Sequence, residues 1–129
     1  MLHKSSILIV CDENNLSYWS QMIDKMRCSI GPITVDQEED VLKNGIRTKF
    51  DLIIIDPTDL NNVPRLISLI RHQQPESKIL IVSTSPTWKL ARDAFYSGAT
   101  DYVRKRYSKQ EMLETIQEAF LKPNLSKVR

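Results

Sequence analysis

Four residues with phosphate-handling chemistry each stand where an apolar run ends. Asp12 follows Ile7-Leu8-Ile9-Val10-Cys11, Asp56 follows Leu52-Ile53-Ile54-Ile55, Ser83 follows Ile79-Leu80-Ile81-Val82, and Lys105 follows Tyr102-Val103-Arg104. Two carboxylates, a hydroxyl and an ammonium on one edge of a sheet would suit phosphoryl transfer. That reaction needs positioning and charge neutralisation more than covalent chemistry. Singly, each residue has a plainer role. Asp56 before Pro57 is a turn former, and Asp12 could end a strand or cap a helix. Ser83 could be a polar strand end, and Lys105 a solvated charge in the run Arg104-Lys105-Arg106. Their shared position is what distinguishes them.

The runs must be strands for this to hold. Ile7–Val10, Ile33-Thr34-Val35, Leu52–Ile55 and Ile79-Leu80-Ile81-Val82 are β-branched and barely alternate with polar residues. Strands buried on both faces of a parallel sheet read this way. Tyr102-Val103 is a weaker fifth. Between them lie helical patterns. Leu16, Trp19, Ile23 and Met26 share one face, with Asn14 or Asn15 as cap. Asp36 and Glu39 are spaced as a capping box for a short helix over 36–43, closed by Gly45. Val63, Leu66, Ile67 and Ile70 repeat the stripe until Pro75. Ser85-Pro86 reads as a cap plus first-turn proline for a helix through Trp88, Ala91, Ala94 and Phe95 to Gly98. Ser108 and Glu111 cap a last helix through Met112, Ile116, Ala119 and Phe120. The alternation βαβαβαβαβα predicts a doubly wound α/β sandwich, with ligands at the carboxyl ends of the strands.

Composition narrows the classes. The 129 residues suit one domain, here 1–123, with 124–129 as a polar tail or the start of a linker. Net charge is +2, and three scattered glycines exclude a dinucleotide fingerprint or a P-loop. Two cysteines without a Cys-x-x-Cys pair, and an N-terminal apolar run too short for a membrane span, point to the cytoplasm.

In four segments the chain resembles the receiver domain of response regulators, the phosphoacceptor module of two-component signalling. These are Ile7-Leu8-Ile9-Val10-Cys11-Asp12-Glu13, Asp51 to Asp56, Lys78 to Thr84, and Gly98-Ala99-Thr100-Asp101-Tyr102-Val103-Arg104-Lys105. The resemblance implies a flavodoxin-like five-stranded parallel sheet of order 2-1-3-4-5 with helices on both faces. It implies Asp56 as phosphoacceptor, Lys105 pairing with the phosphoryl oxygens, and Ser83 and Tyr102 as switch residues. It also implies a weakly bound Mg²⁺ held by Asp12, Asp56 and the backbone carbonyl of Thr58.

The chain departs from the family pattern at three places. Cys11 replaces the first acid of a pair, and Mg²⁺ prefers hard oxygen ligands. Losing that charge costs about 1 to 4 kcal/mol of metal binding between the water and near-surface limits. Pro57 removes a backbone donor beside the acceptor. Arg106 replaces a proline, which leaves Lys105 less rigidly aimed.

Three functions follow from this pattern. The first is a phosphorylation-controlled receiver, a binding module rather than an enzyme. The second is an atypical receiver that binds partners with little or no phosphorylation. The third is a small flavodoxin-like enzyme or a redox sensor using Cys11. The resemblance implies a sensor histidine kinase or phosphotransfer protein upstream and an output protein or domain downstream. It offers the face of the fourth helix, fifth strand and fifth helix as a partner surface, where a homodimer could form. The basic run with Lys109 lacks an aromatic platform for nucleic acid, so direct nucleic-acid binding is not expected.

Overall fold

The structure is a computed structural model, and it describes residues 6–29 and 31–121. The element order is β1 (Ile7–Val10), a 3-10 turn (Glu13–Asn15), α1 (Leu16–Ser29), β2 (Ile33–Asp36), α2 (Glu38–Asn44), β3 (Leu52–Ile55), α3 (Val63–Gln73), β4 (Lys78–Ser83), α4 (Trp88–Ser97), β5 (Asp101–Arg104) and α5 (Lys109–Leu121). All pairings are parallel, in the order β2-β1-β3-β4-β5. That is the flavodoxin-like sheet expected from the sequence. No described helix is long and apolar enough to cross a membrane. The expected tail at 124–129 lies outside the described residues.

Side-chain alternation splits the core into two layers. Ile7, Ile9, Cys11, Leu52, Ile54, Leu80 and Val82 meet Trp19, Met22 and Met26 of α1 and Met112 and Ile116 of α5. Leu8, Val10, Ile53, Ile55, Ile79 and Ile81 meet Val41 of α2, Leu66, Ile67 and Ile70 of α3, and Ala94 of α4. Each buried Ile or Leu stabilises by about 1.5–3 kcal/mol, and a one-residue slip would turn every one to the wrong layer. The strand ends are therefore fixed in register.

Helix starts depart from the expected caps. Asp36 finishes β2, where its carbonyl accepts from the Cys11 amide at 3.2 Å. The ladder claims Asp36, so Gln37 takes the N-cap of α2 without a side-chain bond, and Gly45 closes the helix. Thr87, not Ser85, caps α4, its Oγ1 accepting from the Leu90 amide at 3.2 Å. The Ser85 amide donates instead to Ser83 Oγ. On α4 Ala94 is buried, while Trp88 and Phe95 are exposed. Ser108 does cap α5 through the Glu111 amide, at 3.3 Å. Gly98 ends α4 at φ 119°, and a Cβ there would sit 2.9 Å from Arg71 Cβ. Arg71 donates to the Gly98 carbonyl from Nε and Nη2 at 3.0 and 2.8 Å, tying the ends of α3 and α4 together.

Candidate functional site

The register delivers the candidate residues to one edge. Val10 pairs with Ile55, so the residues after them, Cys11 and Asp56, follow side by side, and the Asp56 amide donates to the Val10 carbonyl at 3.0 Å. Ser83 pairs with Arg104, and the Lys105 amide donates to the Ser83 carbonyl at 2.8 Å. By alternation Asp56 continues the Ile54 side and Lys105 the Val103 side, both toward the layer of α1 and α5.

Asp56 is fully buried, at 0% exposure. Its Oδ2 accepts from Lys105 Nζ at 2.7 Å and from the indole Nε1 of Trp19 at 2.9 Å. Its Oδ1 accepts from the Thr58 amide at 3.1 Å. Pro57 has no N–H to give, and the next amide in the turn supplies the bond instead. An anion out of water needs such partners, since leaving it bare would cost several kcal/mol. Three donors, two of them side chains, meet that need.

The 3-10 turn and the first turn of α1 supply most of the rest. Tyr18 places its ring 4.2 Å from Lys105 Nζ and donates from its hydroxyl to the Arg106 carbonyl at 2.6 Å. Tyr18 and Trp19 meet edge to face at 5.1 Å between centroids. Asn15 Oδ1 accepts from Lys105 Nζ at 3.5 Å, and Asn15 Nδ2 donates to the Thr58 carbonyl at 3.2 Å. Lys105 is thus aimed at Asp56 although Arg106, not a proline, follows it. An aromatic face, an amide and a carboxylate restrain its ammonium. Burial, and then the Asp56 charge, push the Tyr18 phenol up to about 12, so it remains a donor.

A family profile for the response regulator receiver domain matches residues 7–117. The chain belongs to this family. The receiver also aligns with solved structures. The chemotaxis response regulator CheY4 of Vibrio cholerae aligns at TM-score 0.76 and 18% identity, covering 91% of this chain and 99% of that one. A response regulator protein from Burkholderia pseudomallei, with a phosphorylated aspartic acid, calcium ion and citrate, aligns at 0.71 and 24%, covering 95% and 70%. An orphan response regulator of H. pylori aligns at 0.71 and 21%, covering 92% and 99%. No curated protein sequence matches the chain.

Receiver domains generally bind Mg²⁺ in an acidic pocket, so the oxygens here can be tested against that ion. The Thr58 carbonyl faces the Asn15 amide, and Asp56 Oδ2 holds two donors. Asp12 bonds locally. It caps the 3-10 turn, Oδ2 accepting from the Asn14 amide at 2.9 Å, a role expected of Asn14 or Asn15. It lines a crevice with Glu38, Glu39 and Asp59. Asp59 occupies a left-handed turn position at φ 64°, which a short polar side chain tolerates. Cys11 is buried. Desolvation first, then the Asp56 charge, push its thiol up to about 11, so it is neutral and a poor ligand. Among the described residues no three His, Cys, Asp or Glu side chains are grouped to hold a metal. In this arrangement the Thr58 carbonyl and Asp56 Oδ2 already accept from protein donors, and a donor set so occupied does not suit Mg²⁺.

The switch residues lie apart from this network. Ser83 is buried, its Oγ accepting from the Ser85 amide at 3.2 Å. Tyr102 packs toward α3 and α4, its hydroxyl buried without a partner, beside a cavity of about 40 Å³ bounded by Pro57, Ile67, Leu90 and Ala94. Trp19 is the site residue that sequence reasoning took for core alone. A buried indole needs an acceptor, and Cys11 in place of an acid was the signal that room existed for one.

Proposed function

We propose that this receiver domain relays a signal by binding protein partners, with Asp56 acting as a fixed internal anion and phosphorylation contributing little. The observation that supports this is the engagement of both Asp56 oxygens, the buried carboxylate accepting from Lys105, Trp19 and Thr58 at 2.7, 2.9 and 3.1 Å. It is a binding module of the cytoplasm rather than a turnover enzyme. Receiver domains as a class interact with histidine kinases and output domains. For this chain the output-facing surface is that of α4, β5 and α5, which carries the exposed side chains of Trp88, Phe95, Tyr96 and Tyr107.

A second reading makes Asp56 a phosphoacceptor working with Mg²⁺. The Lys105–Asp56 ion pair and the position of Ser83 at the same edge favour it. A titration with Mg²⁺ and beryllofluoride separates the two. The expected result is no saturable change at millimolar Mg²⁺. A Mg²⁺-dependent beryllofluoride adduct on Asp56, absent from Asp56→Asn, would establish the second reading. The buried, neutral thiol removes support for a redox sensor at Cys11.

A further inference from the structure

We propose that Asn15, Tyr18 and Trp19 form a lock, built at the start of α1, that holds Asp56, Thr58 and Lys105 in the arrangement a divalent cation would otherwise organise. This rests on the partner-binding reading above and names the residues that enforce it. The three are spaced i, i+3 and i+4, so they share one helical face. Each engages a different part of the site. Trp19 takes Asp56 Oδ2, Asn15 takes the Thr58 carbonyl, and Tyr18 takes the Lys105 ammonium on its ring and the Arg106 carbonyl on its hydroxyl. A metal ion needs bare oxygens. Here the carbonyl and one carboxylate oxygen already face N–H groups of the 3-10 turn and of α1, and those bonds must break before an ion can enter.

Cys11 completes the lock by what it lacks. It lies in the same layer as Trp19, on the strand beside Asp56. An acid there would offer the indole a rival acceptor and set a second negative charge near Asp56. A small neutral thiol leaves Asp56 as the indole's partner. Trp19 is therefore a positioning residue, acting through Asp56. Restoring an acid at position 11 alone is expected to leave the site closed, because Trp19 and Asn15 still cover its oxygens.

The indole protons give a readout independent of phosphorylation. The chain has two tryptophans. Trp88 is 75% exposed and Trp19 fully buried. In ¹H–¹⁵N spectra of the whole chain, the Trp19 indole signal should exchange with solvent at least about 100-fold more slowly than that of Trp88. It should move in Asp56→Asn, and stay still in wild type and in Cys11→Asp as Mg²⁺ is added. In Cys11→Asp/Asn15→Ala/Trp19→Phe, Mg²⁺ should bind at least about tenfold more tightly than in wild type, read from the amides around Thr58. If that variant does not fold, Cys11→Asp/Asn15→Ala keeps the core, and Mg²⁺ should then shift the Trp19 indole signal.

An indole signal of Trp19 that exchanges as fast as that of Trp88, or ignores Asp56→Asn, overturns the lock. So does an opened variant, folded, that binds Mg²⁺ no better than wild type. Phosphorylation of wild type with the indole still protected would overturn the partner-binding reading and leave the lock's geometry standing.

Discussion

The indole N–H of Trp19 donates to Asp56 Oδ2 over 2.9 Å, on the same oxygen that Lys105 Nζ reaches at 2.7 Å. A helix residue and a strand-end residue thus share one acceptor inside the protein. This pairing balances the carboxylate's charge from within the chain and, with the Thr58 amide on Oδ1, gives both of its oxygens a donor.

Removing the indole should therefore destabilise more than a ring is worth. Trp19→Phe loses a hydrogen bond to a charged group, worth about 1.5–3 kcal/mol, in addition to the packing of one ring. Urea unfolding should show a loss of about 2–4 kcal/mol. A loss below about 1 kcal/mol would mean that the bond is not formed in solution.

Lys105 and Asp56 should behave as a coupled pair. The lysine side chain is 8% exposed and the carboxylate 0%. Lys105→Met strands a buried anion and should cost about 3–5 kcal/mol. Asp56→Asn/Lys105→Met should recover part of that, with about 1–3 kcal/mol of coupling in the double-mutant cycle. Additive single effects would place the pair in water.

The sheet and its edge were legible in the sequence because unbroken β-branched runs have few other solutions, and the residues closing them fall on one edge by topology. The helix starts were less legible. Asp36 and Ser85 have good capping chemistry, but a ladder bond and a hydroxyl–amide bond claimed their backbones first. The closure of the site was hidden for a different reason. Trp19 and Asn15 lie about forty residues from Asp56 and Thr58, and such partnerships come from packing rather than spacing. The surroundings of Arg106 were hidden on the same ground, since Tyr18, distant in sequence, donates to its carbonyl.

Alkaline stability should report one buried and one half-buried acid. The Cys11 thiol moves from 9.0 to about 11, burial first and the Asp56 charge second, and the Tyr18 phenol from 10.0 to about 12 for the same causes. Both folded values lie above the unfolded ones, so the unfolded chain releases these protons first. The stabilisation is complete below about pH 9 and is lost as pH rises toward about 12. Urea midpoints of wild type should fall across that window, and those of Cys11→Ala/Tyr18→Phe should fall less.

Thiol chemistry should agree. In a Cys28→Ser background, Cys11 should react with a maleimide at neutral pH only as fast as the protein opens, and rapidly once urea unfolds it. Immediate labelling of the native protein would show an exposed, ionised thiol.

Phosphorylation itself tests the closed site most directly. The wild-type chain is mixed with a small phosphodonor in millimolar Mg²⁺, and the intact mass is followed, with Asp56→Asn as control. The expected result is no phosphoryl adduct on wild type above the level of Asp56→Asn. A near-stoichiometric adduct on wild type that disappears in Asp56→Asn would contradict it and overturn the partner-binding reading.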